Sequence, residues 1–302
     1  MVFTPAPRLT VTVERPVESD ELHLHAGGQG IWQARMLHVL GASVTVCAAL
    51  GGETGGVLAH LIAAEGVELR SVRREAGSGW YVHDRRKGER EEIADSAGLP
   101  LNRHEVDELY DLALVEGLRA TVRVLAGPMD PSIVPAEVYR RLAADLSANG
   151  GCVVADLSGD YLSAVLAGGV RLLKVSHEEL IAAGRVRDDS VDELVDALRT
   201  LRRDGAGAVV ISRAGEPALA LLDDEVYEVR VPPLQVAEHR GAGDSMTAGV
   251  AAVLARGGDL ATAVRTGAAA GAVNITRHGL GTGQAELIAE IADRVRLDRL
   301  AR

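Results

Sequence analysis

Short apolar runs alternate with helix-patterned segments along most of this chain. Val44 to Leu50, Val122 to Ala126, Cys152 to Ala155, Arg171 to Val175 and Ala208 to Ser212 are mostly apolar or β-branched. Runs of that length, apolar on both faces, read as strands buried on both sides of a parallel sheet. The helical segments between them have recognisable ends. One starts at Glu53 or Thr54 and stops at Gly66, a glycine placed just after a helix end. Ser190-Val191-Asp192-Glu193 reads as a capping box ahead of Leu194, Ala197 and Leu198, and Asn102 with Glu105 as another ahead of Val106 and Leu109. Asp259 caps an Ala-rich helix that reaches Asn274, and its small side chains permit close packing. The alternation predicts an α/β fold with helices on both faces of a parallel sheet. With 302 residues the chain suffices for one large α/β domain or two small ones.

Two stretches break the pattern. Leu9 to Glu14 alternates as an exposed strand does, and Trp80 to Ile93 reads as a polar hairpin around Arg86-Lys87-Gly88-Glu89. With a single Phe, the core must be built from Ala, Val and Leu. A net charge of −11 disfavours nucleic acid and anionic membranes as partners. Cys47 and Cys152 lie in separate apolar runs without CxxC spacing, which favours buried free thiols over a disulfide or a structural metal. The chain starts without a secretory pattern and holds no uninterrupted apolar segment of membrane-spanning length, so a soluble, cytoplasmic protein is expected.

The chemistry concentrates at Arg240-Gly241-Ala242-Gly243-Asp244-Ser245, ahead of a stretch of small residues to Ala255. The glycines allow backbone torsions closed to other residues. A helix starting there offers unpaired N–H groups and the positive end of its dipole, a site suited to phosphate. Asp244 can take a proton from an attacking hydroxyl, or serve as an ordinary N-cap. Further glycine-rich segments, Ala26-Gly27-Gly28-Gln29-Gly30-Ile31-Trp32-Gln33-Ala34-Arg35 and Leu50-Gly51-Gly52-Glu53-Thr54-Gly55, each open a helix.

Together these motifs resemble the two signatures of the ribokinase-like sugar kinases, the phosphofructokinase B family, and most closely its 1-phosphofructokinase and tagatose-6-phosphate kinase branch. Val153 to Gly159 and Ala269 to Arg277 look like further pieces of that branch. The resemblance implies a ribokinase-like three-layer α/β/α fold with a mostly parallel sheet. It implies one kinase domain over residues 1–302, and a small β lid from about 9–25 and 78–97 that often mediates a homodimer. It implies ATP with Mg²⁺, and transfer of the γ-phosphoryl group to a hydroxyl of a small sugar-like metabolite. Asp244 would be the general base, with Gly241, Ala242 and Gly243 forming the anion hole. Ser176, Ser212 and Gly215 would lie at the nucleotide. Asn274 would either contact the adenine or be a surface polar residue. Glu179 would help organise the metal, while His177 is expected to be an exposed first-turn residue. Gly27, Gly28, Gln29, Trp32 and Arg8 would line the acceptor site.

The acceptor end departs from the family pattern. Aligned on Pro5 and Ala6, Arg8 stands where relatives carry a sugar-binding Asp. Gln29 replaces a phosphate-binding Lys, Trp32 replaces an Asn, and the Arg that relatives often carry near Ser78-Gly79-Trp80 is missing. Ser176 replaces an Asn at the nucleotide end. These changes argue against fructose 1-phosphate and tagatose 6-phosphate. They suggest an acceptor with an anionic or aromatic part engaging Arg8 and Trp32, unless Trp32 is core and Arg8 pairs with a carboxylate. Two function classes follow: an active kinase, or a catalytically inactive nucleotide- or metabolite-binding protein of the same fold. A dinucleotide oxidoreductase and a Walker NTPase are disfavoured, because GxGxxG and GxxxxGK[ST] are missing.

Overall fold

The structure, a computed structural model, describes residues 1–277 and 279–300. In chain order its strands are β1 (Val2–Phe3), β2 (Arg8–Glu14), β3 (Glu21–Gly27), β4 (Thr45–Gly51), β5 (Glu68–Arg74), β6 (Ser78–Asp84), β7 (Glu91–Gly98), β8 (Val122–Ala126), β9 (Cys152–Asp156), β10 (Leu172–Ser176), β11 (Val209–Arg213), β12 (Glu216–Leu222), β13 (Glu225–Arg230) and β14 (Arg296–Arg299). The helices are α1 (Gln29–Val39), α2 (Gly52–Ala64), α3 (Arg103–Arg119), α4 (Ala136–Ala148), α5 (Gly159–Gly168), α6 (His177–Ala182), α7 (Val191–Arg203), α8 (Ala242–Ala255), α9 (Leu260–Asn274) and α10 (Ala285–Ala292).

Among the described residues the larger sheet runs β14-β13-β12-β11-β10-β9-β8-β1-β4-β5. The seven strands from β11 to β5 pair in parallel, and β12, β13 and β14 extend the sheet antiparallel. Successive side chains of each buried strand enter opposite cores, as the two-residue period requires. Val153 and Ala155 join the cluster containing Leu109, Leu142, Leu162 and Leu198, while Val154 joins Ile31, Leu58, Val250 and Val264 on the other face. This makes the three-layer α/β/α arrangement. The small residues of α8 and α9 allow very close packing: a Cβ on Gly249 would lie 2.7 Å from the Cα of Gly267.

A second sheet, β3-β2-β6-β7, stands apart from the first. Its β2 and β6–β7 hairpin fall on the two stretches that broke the alternation. The face carrying Leu9 and Trp80 packs against the cluster that includes Leu58 of α2.

Three local expectations are corrected or sharpened. The capping box at Ser190 does not form, because the Glu193 carboxylate is taken by the backbone N–H and guanidinium of Arg187, and Ser190 makes no side-chain cap. The box at Asn102 and Glu105 is complete. Two parallel strands lie outside the apolar runs: β1, only two residues long but central, and β5, an edge strand whose exposed positions are charged or polar. Cys47 is buried and Cys152 half-buried, both as free thiols, and burial pushes the Cys47 pKa up to about 12. Among the described residues no helix is long and apolar enough to cross a membrane.

Candidate active site

The parallel strands end along one edge of the large sheet, and the helices that follow begin there. Open α/β sheets place ligands at this edge. Gly241 takes the left-handed conformation, φ 77°, and acts as N-cap of α8. The first intrahelical bond runs from Ser245 N–H to Gly241 O. The amides of Ala242, Gly243 and Asp244 precede it, which leaves them available to an anion.

Asp244 has neighbours from four directions. Its pKa is raised to about 7 by burial and by Asp156 and Glu179, against the ammonium of Lys174 and a hydrogen bond with Gln29. Gln29 opens α1 and also accepts a 2.8 Å bond from the N–H of Gly127. The Gln29 amide therefore tethers the β8–α4 loop to the α8 terminus, a contact made without charge.

Asn274 is completely buried, so it is not a surface residue. Its Nδ2 donates to Arg240 O at 2.7 Å, and its Oδ1 accepts from Gly281 N at 2.9 Å and Thr282 N at 3.3 Å. These bonds pin the loop before α8 to the loop after α9, and they commit the amide to backbone.

Ser176 and Ser212 stand side by side at the ends of β10 and β11. Ser176 caps α6 in a complete box with Glu179: its Oγ accepts from Glu179 N, and Ser176 N donates to Glu179 Oε2. His177 Nδ1 lies 3.2 Å from Ser212 O. Gly215 sits exposed in the β11–β12 turn, and a Cβ there would meet open space. Among the described residues no group of three or more His, Cys, Asp or Glu could hold a metal ion.

A cavity of about 810 Å³ separates the small sheet from the main body. Arg8, Gly27, Gly28 and Trp32 line it, together with Tyr81, Arg90, Arg240 and Leu280. Gly28, φ 114°, is the N-cap of α1 and turns the chain from β3 into the helix. Arg8 also forms an ion pair with Asp95 of β7 and donates to Trp80 O at 3.0 Å, both through Nη2, stitching β2 across β6. Trp32 lines the cavity and is not core.

Sequence reasoning missed Asp156, Lys174, Gln33 and Thr247, which meet behind Asp244. The available signal was a charge inside an apolar run: Asp156 closing Val153-Val154-Ala155 and Lys174 inside Leu172-Leu173-Lys174-Val175. A charge buried in a strand needs a partner.

The sequence matches the pfkB family carbohydrate kinases over residues 6–287. It is 31% identical over 257 residues to the ATP-dependent 6-phosphofructokinase isozyme 2 of Escherichia coli (strain K12), covering 84% of this chain and 82% of that protein. It is 27% identical over 278 residues to the 1-phosphofructokinase of Bacillus subtilis (strain 168), covering 91% and 89%. The crystal structure of phosphofructokinase-2 from Escherichia coli in complex with potassium superposes with a TM-score of 0.84 at 27% identity, covering 97% of each chain. A glycine-capped helix N-terminus with Asp244 in its first turn agrees with the matched sequence: this chain belongs to the pfkB family of carbohydrate kinases.

Proposed function

We propose that this protein uses ATP to phosphorylate a sugar-like acceptor seated in the cavity beneath the small sheet, with Asp244 as the base. ATP-dependent phosphoryl transfer to a sugar hydroxyl is the chemistry of the family. The observation that carries the residue-level reading is the unpaired N-terminus of α8 with Asp244 in its first turn, next to a cavity lined by Arg240. The amides of Ala242, Gly243 and Asp244 receive the charge that develops on the transferred group, and Asp244 orients and deprotonates the acceptor hydroxyl. Most of the rate comes from positioning and electrostatics. The nucleotide lies along Ser176, Ser212 and the Gly215 turn.

Mg²⁺ accompanies the nucleotide in this reading. Glu179 commits Oε2 to its capping bond, which leaves Oε1 for the ion or its water shell. Mg²⁺ takes one or two carboxylates plus phosphate oxygens and water, so no dedicated cage is required.

The acceptor differs from fructose 1-phosphate and tagatose 6-phosphate in this proposal. An anionic part of the acceptor meets Arg8, Arg90 and Arg240, and a flat or apolar part meets Trp32 and Tyr81. The small sheet serves as a lid and as the face through which two copies pair. The alternative, an inactive binding protein, is opposed by the intact anion hole and by a base whose pKa sits near neutrality.

The deciding experiment is ATP consumption with Mg²⁺ across sugars, sugar phosphates, sugar acids and nucleosides, with Asp244→Asn run in parallel. Turnover of one compound class that disappears in the variant is expected. Turnover unaffected by Asp244→Asn overturns the assignment of the base. ATP binding with no turnover of any compound favours the inactive alternative.

A further inference from the structure

Asp156, the last residue of β9, is completely buried, and Lys174 of β10 is 6% exposed. The Asp156 carboxylate receives three hydrogen bonds from three elements. Lys174 Nζ donates to Oδ1 at 3.2 Å, Thr247 Oγ1 of α8 to Oδ2 at 2.7 Å, and Gln33 Nε2 of α1 to Oδ2 at 3.1 Å. A buried ion pair is a poor source of stability, since its desolvation offsets most of its attraction. Leucine or methionine at these positions would fill the sheet as well. The placement of the pair therefore calls for another explanation.

The explanation lies at Gly243. A Cβ built there would fall on the Lys174 ammonium, well inside contact distance. The ammonium thus sits flush under the first turn of α8. Gly243 does not adopt positive φ, so its backbone does not demand glycine. The ammonium demands it. Burial penalises the charged lysine, but Asp156, Glu179 and Asp244 together outweigh that and hold its pKa above the ordinary value.

We propose that Lys174 is a positioning residue for phosphoryl transfer: anchored by Asp156, its ammonium fixes the Gly243–Asp244 turn and places a buried positive charge behind the anion hole. This rests on the reading of the α8 amides as the transfer site. The N-terminus of a helix carries about half a unit charge. A full charge fixed behind it, in a site of low dielectric, strengthens the attraction for charge that builds up during transfer without any reorganisation at that moment.

The test is the affinity of ADP with aluminium fluoride, a mimic of the transferring phosphoryl group, against that of ADP alone, by calorimetry with Mg²⁺. Lys174→Met, Gly243→Ala and the double variant are compared with wild type. Lys174→Met is expected to reduce the gain from aluminium fluoride by ~30-fold or more, with the affinity for ADP alone within about threefold of wild type. Gly243→Ala is expected to do the same by displacing the ammonium. It should fold but melt below wild type, because pushing the ammonium aside weakens its buried pairing with Asp156. The double variant should be no worse than Lys174→Met, since no ammonium remains to displace. Should Lys174→Met strand the Asp156 carboxylate and fail to fold, Gly243→Ala carries the test. Additive losses, an undiminished gain, or an equal loss of ADP affinity would overturn the proposal. Wild type without any gain from aluminium fluoride overturns the transfer site itself, and this proposal with it.

Discussion

A carboxylate in the first turn of a helix ordinarily titrates low, because the dipole favours its charged form. Asp244 is held up to about 7 instead, first by burial, then by Asp156 and Glu179, against Lys174 and Gln29. A base works best with a pKa near the operating pH. The acidic limb of kcat/KM is therefore expected near pH 7, with activity lost below it as Asp244 protonates. Asp244→Asn should lower kcat by ~10²–10⁴ and flatten that limb; a full-rate variant, or a limb that persists in it, removes Asp244 as the base. The same shift has a stability consequence. Its folded pKa lies above the unfolded value, so the stabilisation is complete below the unfolded pKa and is lost as pH rises through about 7. Asp244→Asn is expected to melt several degrees above wild type at pH 8, with the difference shrinking towards pH 4. Thermal melts across that range check it. Asp244 was legible because its motif is local. Asp156 and Lys174 lie 18 positions apart in chain and meet only through the pairing of adjacent strands.

At the scale of elements, the helix ends show what a short motif can and cannot decide. Asn102 and Ser190 carry the same capping pattern, yet only Asn102 caps, because Arg187 reaches Glu193 first. Asn102→Ala should cost about 1 kcal/mol and Ser190→Ala under about 0.5 kcal/mol in urea titrations. Equal losses would contradict the difference in geometry. Asn274 makes the larger point. From the sequence it was a polar residue late in an Ala-rich helix, either surface or ligand contact. In the structure it bonds three backbone groups from two loops, and Gly241 abuts its amide at 3.2 Å from a built Cβ. Asn274→Ala leaves those groups without partners and should destabilise the protein by about 2–4 kcal/mol. It should also weaken the anion hole, since Arg240 and Gly241 lose their anchor. Unchanged denaturation would show that water replaces the amide freely.

At the scale of the molecule, the strong signal was the alternation of apolar runs and capped helices, which was enough for the three layers. The cavity was less legible because it is assembled from the small sheet, α1 and the segments carrying Arg240 and Leu280, which lie far apart in the chain. Arg8 is adjacent to Pro7 and Leu9 in sequence, but its partners lie on β6 and β7, so pairing with a carboxylate was one of two readings and Asp95 could not be picked out from the chain. The small sheet also shows which of its faces is unfinished. His23 and His25 of β3 line the cavity, so the two-residue period sends Leu22 and Leu24 to the other face. Part of that face packs near α2 through Leu9 and Trp80, but Leu22 is 65% and Leu24 41% exposed. Contiguous apolar surface on a strand pair is costly in water and marks a contact surface. The expected occupant is the same face of a second copy, which buries both leucines twice over through a twofold axis. Wild type is then expected to sediment as a dimer, and Leu22→Glu with Leu24→Glu as a monomer whose melting profile is otherwise kept. The sheet lines the cavity proposed for the acceptor, so the monomer should bind its acceptor more weakly while ATP affinity holds. A wild-type monomer at all concentrations, or a dimer that survives both substitutions, would place the interface elsewhere.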